Sequence, residues 1–476
     1  MKRTKILATM GPASNDKATL TAMVKAGLNA VRCNFSHGGA DEHRQRVQMV
    51  REVGRENGVY LGILGDLQGP KIRISRFQEG QIELSKDQTF TLDAELDVDA
   101  GDQTQVGIDY KDLPSDVTAG DILLLDDGKI VLQVASVEGG KIHCQVTTAG
   151  ILSNNKGINK KGGGLSAPAL TEKDKQDIKI AANLNVDYVA VSFPRDAQDI
   201  ELARELLKEA GSTAGVVAKI ERIEAVENID NIIKASDAVM VARGDLAVEV
   251  GDENVPAIQK MIIQRTRELD RVCITATQMM ESMIHNASPT RAEASDVANA
   301  VFDGTDVVML SAESAVGDYP VETVAAMSRI CQAAESKAEN IAVKGNVDRR
   351  YKRMDKAIAV AAIQLANHID VSAIICLTES GSTPLWMSRL NTNLPIYGLS
   401  RNRDTLGKMT LFRGVIPLKF DSTGMPRFYV NREAARVLEK RQVVEQGDAM
   451  ILTSGDHMGI HGGTNKIKVI QAGNVV

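Results

Sequence analysis

The sequence predicts a closed (β/α)8 barrel of the TIM type, carrying an inserted all-β lid domain and followed by a C-terminal α/β domain. Three observations predict it. Short apolar runs begin near residues 5, 30, 61, 188, 216, 238, 272 and 307, eight in all, with helically spaced segments between them. The helical period disappears from Lys71 to Ala167, where alternating segments such as QIELS, TFTLDA and KIHCQVTTAG are punctuated by Asp127-Gly128 and Gly139-Gly140. From about Ile341 a third region alternates helices with the runs AIICLT, PIYGLS, VIPLKF, AMILTS and KIKVIQA. The expected divisions are 1–69 and 168–341 for the barrel, 70–167 for the lid and 342–476 for the C-terminal domain.

The elements follow in order. Lys5 to Met10 reads as a strand that stops at Gly11-Pro12, and Lys17 to Ala26 as a helix. Ala30-Val31 opens a second strand that runs into the polar stretch Arg32 to Gly38, before a helix over Asp41 to Glu56. Leu61 to Leu64 is a third strand, ending in Asp66-Leu67-Gln68-Gly69-Pro70. A doubly wound sheet would give the same local pattern; the full count of eight favours the barrel. A β insert after the third strand hangs over the face where the strands end, which suits a lid. Beyond the glycine run ending at Gly164, Thr171 and Asp174 cap a helix. Tyr188 to Phe193 is a strand, Glu201 to Ala210 a helix, Val216 to Ala218 a strand, Val226 to Ala235 a helix and Ala238 to Ala242 a strand. The helices Gln259 to Leu269 and Arg291 to Phe302 precede the last two barrel strands.

Composition excludes several classes. The 476 residues suit two to four domains, and 43% hydrophobic with 25% charged content is that of a globular protein. A net charge of −6 and only 3% aromatics argue against nucleic-acid binding. The five cysteines are scattered and form no CxxC pair, so neither a zinc site nor a disulfide framework is expected. No apolar run approaches a membrane span or a signal peptide, and the expected compartment is the cytoplasm.

Polar residues collect where the barrel strands end. Lys219 and Glu221 are two apart and share a face, so they address one point, with Asp245 just past the next strand. Two carboxylates at one point suit a hard divalent cation such as magnesium. The plain alternative is a surface ion pair at a strand end. Arg32, Asn34, Ser36, Asp66, Lys71, Arg73, Thr277 and Glu313 end other strands, and the lid adds Asp126-Asp127-Gly128 and Lys156. Cations beside a metal pair describe an anionic, phosphorylated substrate. No Walker motif is present.

The stretches TKILATMGPAS, RCNFSHG, GDLQGPKIR, LLDDGKI, VVAKIERIEAV, MVARGDLAVEV, TATQMMESM and TESGSTP carry a resemblance that spans nearly the whole chain. The chain resembles the pyruvate kinases, which transfer the phosphoryl group of phosphoenolpyruvate to ADP and give pyruvate and ATP. The resemblance implies that Glu221 and Asp245 hold magnesium, for which manganese can substitute. It implies that Lys219 neutralises the transferring group and the enolate, that Thr277 lies near the carbon that is protonated, and that Arg32 binds phosphate. Gly244 and Asp245 would receive the substrate carboxylate through their amides. Asn34, His37, Arg73, Lys156 and Asp127 would serve the nucleotide; His37 alternatively packs locally. Asn34, Ser36, Asp66 and Leu67 would line a monovalent-cation site.

Many relatives read DTKGPEIR where this chain has Asp66-Leu67-Gln68-Gly69-Pro70-Lys71-Ile72-Arg73. Lys71 thus replaces a glutamate, and its ammonium could stand in for potassium, so no potassium requirement is expected. Cys33 stands where the family usually has leucine and reads as a small buried thiol. Thr378, Ser380, Gly381, Ser382 and Thr383 resemble a loop that takes a phosphorylated activator, and Glu379 points away from fructose bisphosphate towards a sugar monophosphate or AMP. The resemblance also implies a homotetramer. Two other readings stay open on sequence: another magnesium-dependent, enolate-stabilising barrel enzyme, and a catalytically silent effector-binding relative.

Overall fold

The computed structural model describes residues 2–338, 350–390, 392–456 and 462–473. Eight parallel strands close on themselves: β1 (Lys5–Thr9), β2 (Ala30–Asn34), β3 (Gly62–Asp66), β4 (Tyr188–Val191), β5 (Gly215–Ile220), β6 (Ala238–Ala242), β7 (Val272–Ala276) and β8 (Val307–Leu310). Each pairs with its sequence neighbours, and β1 closes the ring on β8 through Lys5↔Val307 and Ala8↔Leu310. Every strand is buried along most of its length, which is why the sequence reads as apolar runs rather than strict alternation.

Strand parity sorts the side chains. Ile6 and Ala8 of β1 and Val216 and Ala218 of β5 pack outwards with the helices. Leu7 and Val217 belong to a second core together with Leu64, Tyr188 and Met240. Lys219 and Glu221 share the parity of Val217, so both side chains belong to the barrel axis, as the sequence spacing requires.

The second core does not stop at the barrel. Ala359, Ile363, Ile374, Trp386, Leu406, Met409 and Val415 of the C-terminal domain belong to it. A Cβ on Gly62 would lie 2.1 Å from Oγ1 of Thr410, so only glycine lets the C-terminal domain approach β3 this closely. Tyr188 donates its hydroxyl to the Lys408 carbonyl at 2.7 Å, and Lys5 donates to the Val415 carbonyl at 2.6 Å.

The lid holds a six-stranded and a two-stranded sheet around its own core, which includes Phe90, Leu92, Leu123, Leu132 and Val146. It also contains a single helical turn, Leu113–Asp116. The C-terminal domain is a five-stranded sheet, parallel except for the edge strand Thr464–Gln471.

Three local readings change, the first being the helix expected over Gln259 to Leu269, which is Val255–Glu268. The helix expected over Val226 to Ala235 is two short helices, Ile223–Glu227 and Ile229–Ala235, with Asn228 ending one and starting the other. The helix expected from Glu201 begins earlier, at Ala197, because Asp196 accepts from the Gln198 and Asp199 amides. The boundary expected at 341 lies outside the described residues, as does Arg349 of the basic stretch Arg349, Arg350, Lys352 and Arg353, which the sequence suggests as an interdomain or subunit contact. In that stretch, Arg353 stacks 5.0 Å from the Trp386 ring and pairs with Asp355.

Candidate active site

The strand ends of β1 to β7 gather most of the expected residues. Lys219, on β5, stands at the centre. Its Nζ donates to Ser192 Oγ at 2.7 Å and lies 2.9 Å from Glu221 Oε1 and 3.5 Å from Asp66 Oδ1. Burial works against this ammonium, but the Asp66 and Glu221 carboxylates outweigh it and raise its pKa above the usual lysine value. Lys219 therefore stays charged inside the mouth.

Glu221 is in the opposite situation. Burial pushes its carboxyl up to about 7, and the nearby Asp245 charge adds to the rise while Lys219 opposes it. Its Oε2 accepts from the Phe193 amide at 2.7 Å. Its Oε1 faces Lys219 without an aligned hydrogen bond, and so does Oδ1 of Asp66. Buried carboxylate oxygens without aligned donors have capacity left for a cation. Among the described residues, no three His, Cys, Asp or Glu side chains gather around a common point. A cation between Glu221 and Asp245 would thus complete its shell with water or substrate oxygens, which is how magnesium is held.

Asp66 is 1% exposed and binds Arg32, whose Nε donates to Oδ2 at 2.6 Å. Burial would raise this carboxyl, but Lys219 and Arg32 outweigh it and hold it below the usual aspartate value. Arg32 also donates from Nη1 to Thr9 Oγ1 at 3.1 Å. The arginine fork is thereby oriented from two strands.

Thr277 follows β7 in a left-handed backbone, φ 68°, with Gln278 beside it at φ 52°. A β-branched residue rarely adopts this conformation, and such strain collects at functional sites. Its hydroxyl donates to the Ala276 carbonyl at 2.7 Å and accepts from the Gly244 amide at 3.0 Å. Arg243 holds the turn by donating to the Thr277 carbonyl while pairing with Asp296 at 2.7 Å.

The structure places the remaining residues as follows. Lys71 reaches Asp245 Oδ1 at 3.4 Å, so its charge lies beside the expected metal carboxylate. Leu67 is buried, and its carbonyl accepts from Ser192 at 2.8 Å. Asn34 Oδ1 accepts from the Ser36 amide at 3.1 Å, while His37 is exposed. The Phe35 amide donates to the Asp66 carbonyl, bringing that loop to β3. Cys33 is fully buried, and burial pushes its thiol up to about 11, which suits an inert packing residue.

Arg73 does not join this set; its Nη1 donates to the Asn155 carbonyl within the lid at 2.9 Å. Lys156 pairs with Asp126 at 2.8 Å, and Asp126 and Asp127 are consecutive left-handed residues, φ 50° and 56°. Glu313 is structural, since its two oxygens accept from the Met280 and Ser311 amides. In the C-terminal loop, Thr378 Oγ1 accepts from the Gly381 amide at 2.9 Å, Ser380 and Ser382 hydroxyls meet at 2.9 Å, and Thr383 meets Thr464 at 2.8 Å. Glu379 pairs with Arg401 at 3.4 Å and accepts from Asn402.

Ser192, Thr9 and Arg243 stand outside the set expected from the sequence. Ser192 and Thr9 are single hydroxyls at strand ends, which no periodicity distinguishes. Arg243 could have been suspected from its place directly after β6.

Residues 1–324 match the model of the pyruvate kinase barrel domain, and residues 356–470 match that of the pyruvate kinase alpha/beta domain. The chain belongs to the pyruvate kinase family. This is a family of phosphotransferases. The chain is 52% identical over 474 residues to pyruvate kinase II of Salmonella typhimurium, covering 99% of this chain and 98% of that one. It is 50% identical over 459 residues to a pyruvate kinase of Haemophilus influenzae, covering 96% of each. Its fold is similar to the crystal structure of a pyruvate kinase from Cryptosporidium parvum, with a TM-score of 0.90, 31% identity, and 99% and 96% of the two chains covered. No helix among the described residues is long and apolar enough to cross a membrane.

Proposed function

We infer that this chain transfers the phosphoryl group of phosphoenolpyruvate to ADP, giving pyruvate and ATP. The observation that carries this reading is the Lys219 ammonium, held charged at the barrel mouth between Asp66 and Glu221 with Asp245 alongside. Such a fixed cation stabilises negative charge as it develops on the transferring group and on the enolate oxygen. Arg32, aimed by Asp66 and Thr9, binds the substrate phosphate. The Asp245 backbone amide would receive the carboxylate, joined by the Gly244 amide once that releases the Thr277 hydroxyl. Thr277 sits against Gly244, near the methylene carbon that receives a proton. Glu221 and Asp245 hold magnesium or manganese, which when bound supplies further positive charge to the phosphoryl oxygens. Asn34, His37, Lys156, Asp127 and Arg73 serve the nucleotide, the last three from the lid.

A coupled lactate dehydrogenase assay with phosphoenolpyruvate, ADP and magnesium tests the activity. Turnover supports it. No turnover would favour a silent relative or another enolate-stabilising barrel enzyme.

Several finer readings belong with this one. Lys71 supplies charge that potassium would otherwise bring to the Asn34, Ser36, Asp66 and Leu67 region. The loop Thr378 to Thr383 takes a phosphorylated activator, a sugar monophosphate or AMP; Ser382→Glu abolishes that activation and leaves basal turnover, and retained activation would count against it. The chain divides at 1–69, 70–167, 168–341 and 342–476, acts in the cytoplasm and assembles as a homotetramer, which sedimentation would show.

A further inference from the structure

Ser192 immediately follows β4 and is 1% exposed. Its Oγ donates to the Leu67 carbonyl at 2.8 Å and accepts from Lys219 Nζ at 2.7 Å. A hydroxyl has one proton to give. Because the carbonyl takes it, the lone pairs that remain are aimed at the ammonium. Thr9 repeats the device on the other catalytic cation: it donates to the Leu310 carbonyl at 2.9 Å and accepts from Arg32 Nη1 at 3.1 Å. Gly69 leaves room for this serine, since a Cβ at Gly69 would come within 2.7 Å of Ser192 Cβ, and Gly69 has φ +68°.

Lysine is a point charge on a flexible four-carbon stem. Without Ser192, the remaining partners of Nζ are the carboxylates of Glu221 and Asp66. The ammonium would then turn towards Glu221, the carboxylate read above as a metal ligand, and away from the space over the mouth. A neutral acceptor on the neighbouring strand draws it back without adding a negative charge that would cancel it.

We propose that Ser192 is a positioning residue for phosphoryl transfer, holding Lys219 Nζ over the mouth and tying it through the Leu67 carbonyl to the segment that leads from β3 into the lid. This rests on the role of Lys219 given above. Loss of a hydrogen bond to a charged group predicts that Ser192→Ala lowers kcat about 10- to 100-fold. The KM for phosphoenolpyruvate stays within about threefold, because Arg32 and the Gly244 region still bind the substrate.

The test is a double-mutant cycle on the full chain, using kcat from the coupled assay, with the thermal midpoint recorded for each variant. Ser192→Ala is expected to cost turnover in the native background and nothing further in Lys219→Met. Ser192→Cys preserves the volume with a weak acceptor and shows a similar loss, which keeps the test available where the alanine variant does not fold. A kcat within twofold of native in both serine variants overturns the proposal. So does an equal fractional loss in the Lys219→Met background, which would mark general damage. Full turnover in Lys219→Met alone would instead overturn the role of Lys219, a result distinct from failure of the tether.

Discussion

Glu221 at the mouth of the barrel and Asp306 at its base are equally hidden, at 1% and 0% exposure. Asp306 has partners on both oxygens. Oδ2 accepts from the Cys273 amide at 2.9 Å and from Arg389 Nη1 at 2.8 Å, and Oδ1 pairs with Nη2 of the same guanidinium. Glu221 has one amide on Oε2, and its Oε1 faces an ammonium out of line. Burial then pushes its carboxyl up to about 7. Equal burial thus produces two different things. A saturated carboxylate locks the C-terminal domain to the barrel; an unsaturated one keeps capacity for a cation.

The largest effect is expected at the base. Asp306→Ala leaves the Arg389 guanidinium buried without its partner and costs about 3–5 kcal/mol. A lowered thermal midpoint, with turnover of the remaining folded protein near native, is the expected pattern. Next comes the mouth: Lys219→Met lowers kcat about 10²- to 10³-fold, on the scale of removing one preorganised charge stabiliser. Its thermal midpoint should fall less than that of Asp306→Ala. If the two substitutions exchanged their effects, the contrast between the sites would be broken.

A smaller effect concerns pH at the base. Burial pushes the Lys5 ammonium down to about 7, where it donates to the Val415 carbonyl. The folded chain then holds fewer protons than the unfolded chain between about 7 and the usual lysine value of 10.5. Stability therefore rises with pH across that window and levels off below it. Lys5→Met should make the dependence of the thermal midpoint on pH shallower there, and an unchanged slope would contradict the assignment. The smallest effect is potassium: added to a potassium-free assay, it should change the rate less than twofold, because Lys71 already brings a charge to the mouth. A tenfold rise would remove that reading.

Much of the barrel was legible because doubly buried parallel strands leave apolar runs that turn residues interrupt. The shared face of Lys219 and Glu221 was legible for the same reason, since strand parity is local. Contacts made across the chain were not. Lys71 meets Asp245 across 174 positions, and no pattern near either residue announces it. Nor does any pattern announce the merging of Leu7 and Val217 with Ile374 and Trp386 into one core. The left-handed backbone of Thr277 was hidden because threonine is a poor candidate for that conformation; neighbouring contacts from Gly244 and Arg243 impose it. The split at Asn228 was hidden because apolar spacing runs through both short helices.

Phosphoryl transfer at this mouth needs the divalent cation proposed for Glu221 and Asp245. Manganese can be titrated into the full-length protein while the free ion is followed by electron paramagnetic resonance. Saturable binding to the native chain, weakened at least tenfold in Glu221→Gln and in Asp245→Asn but retained in Asp306→Ala, is the predicted result. Equal manganese affinity in the native chain and both mouth variants would contradict it.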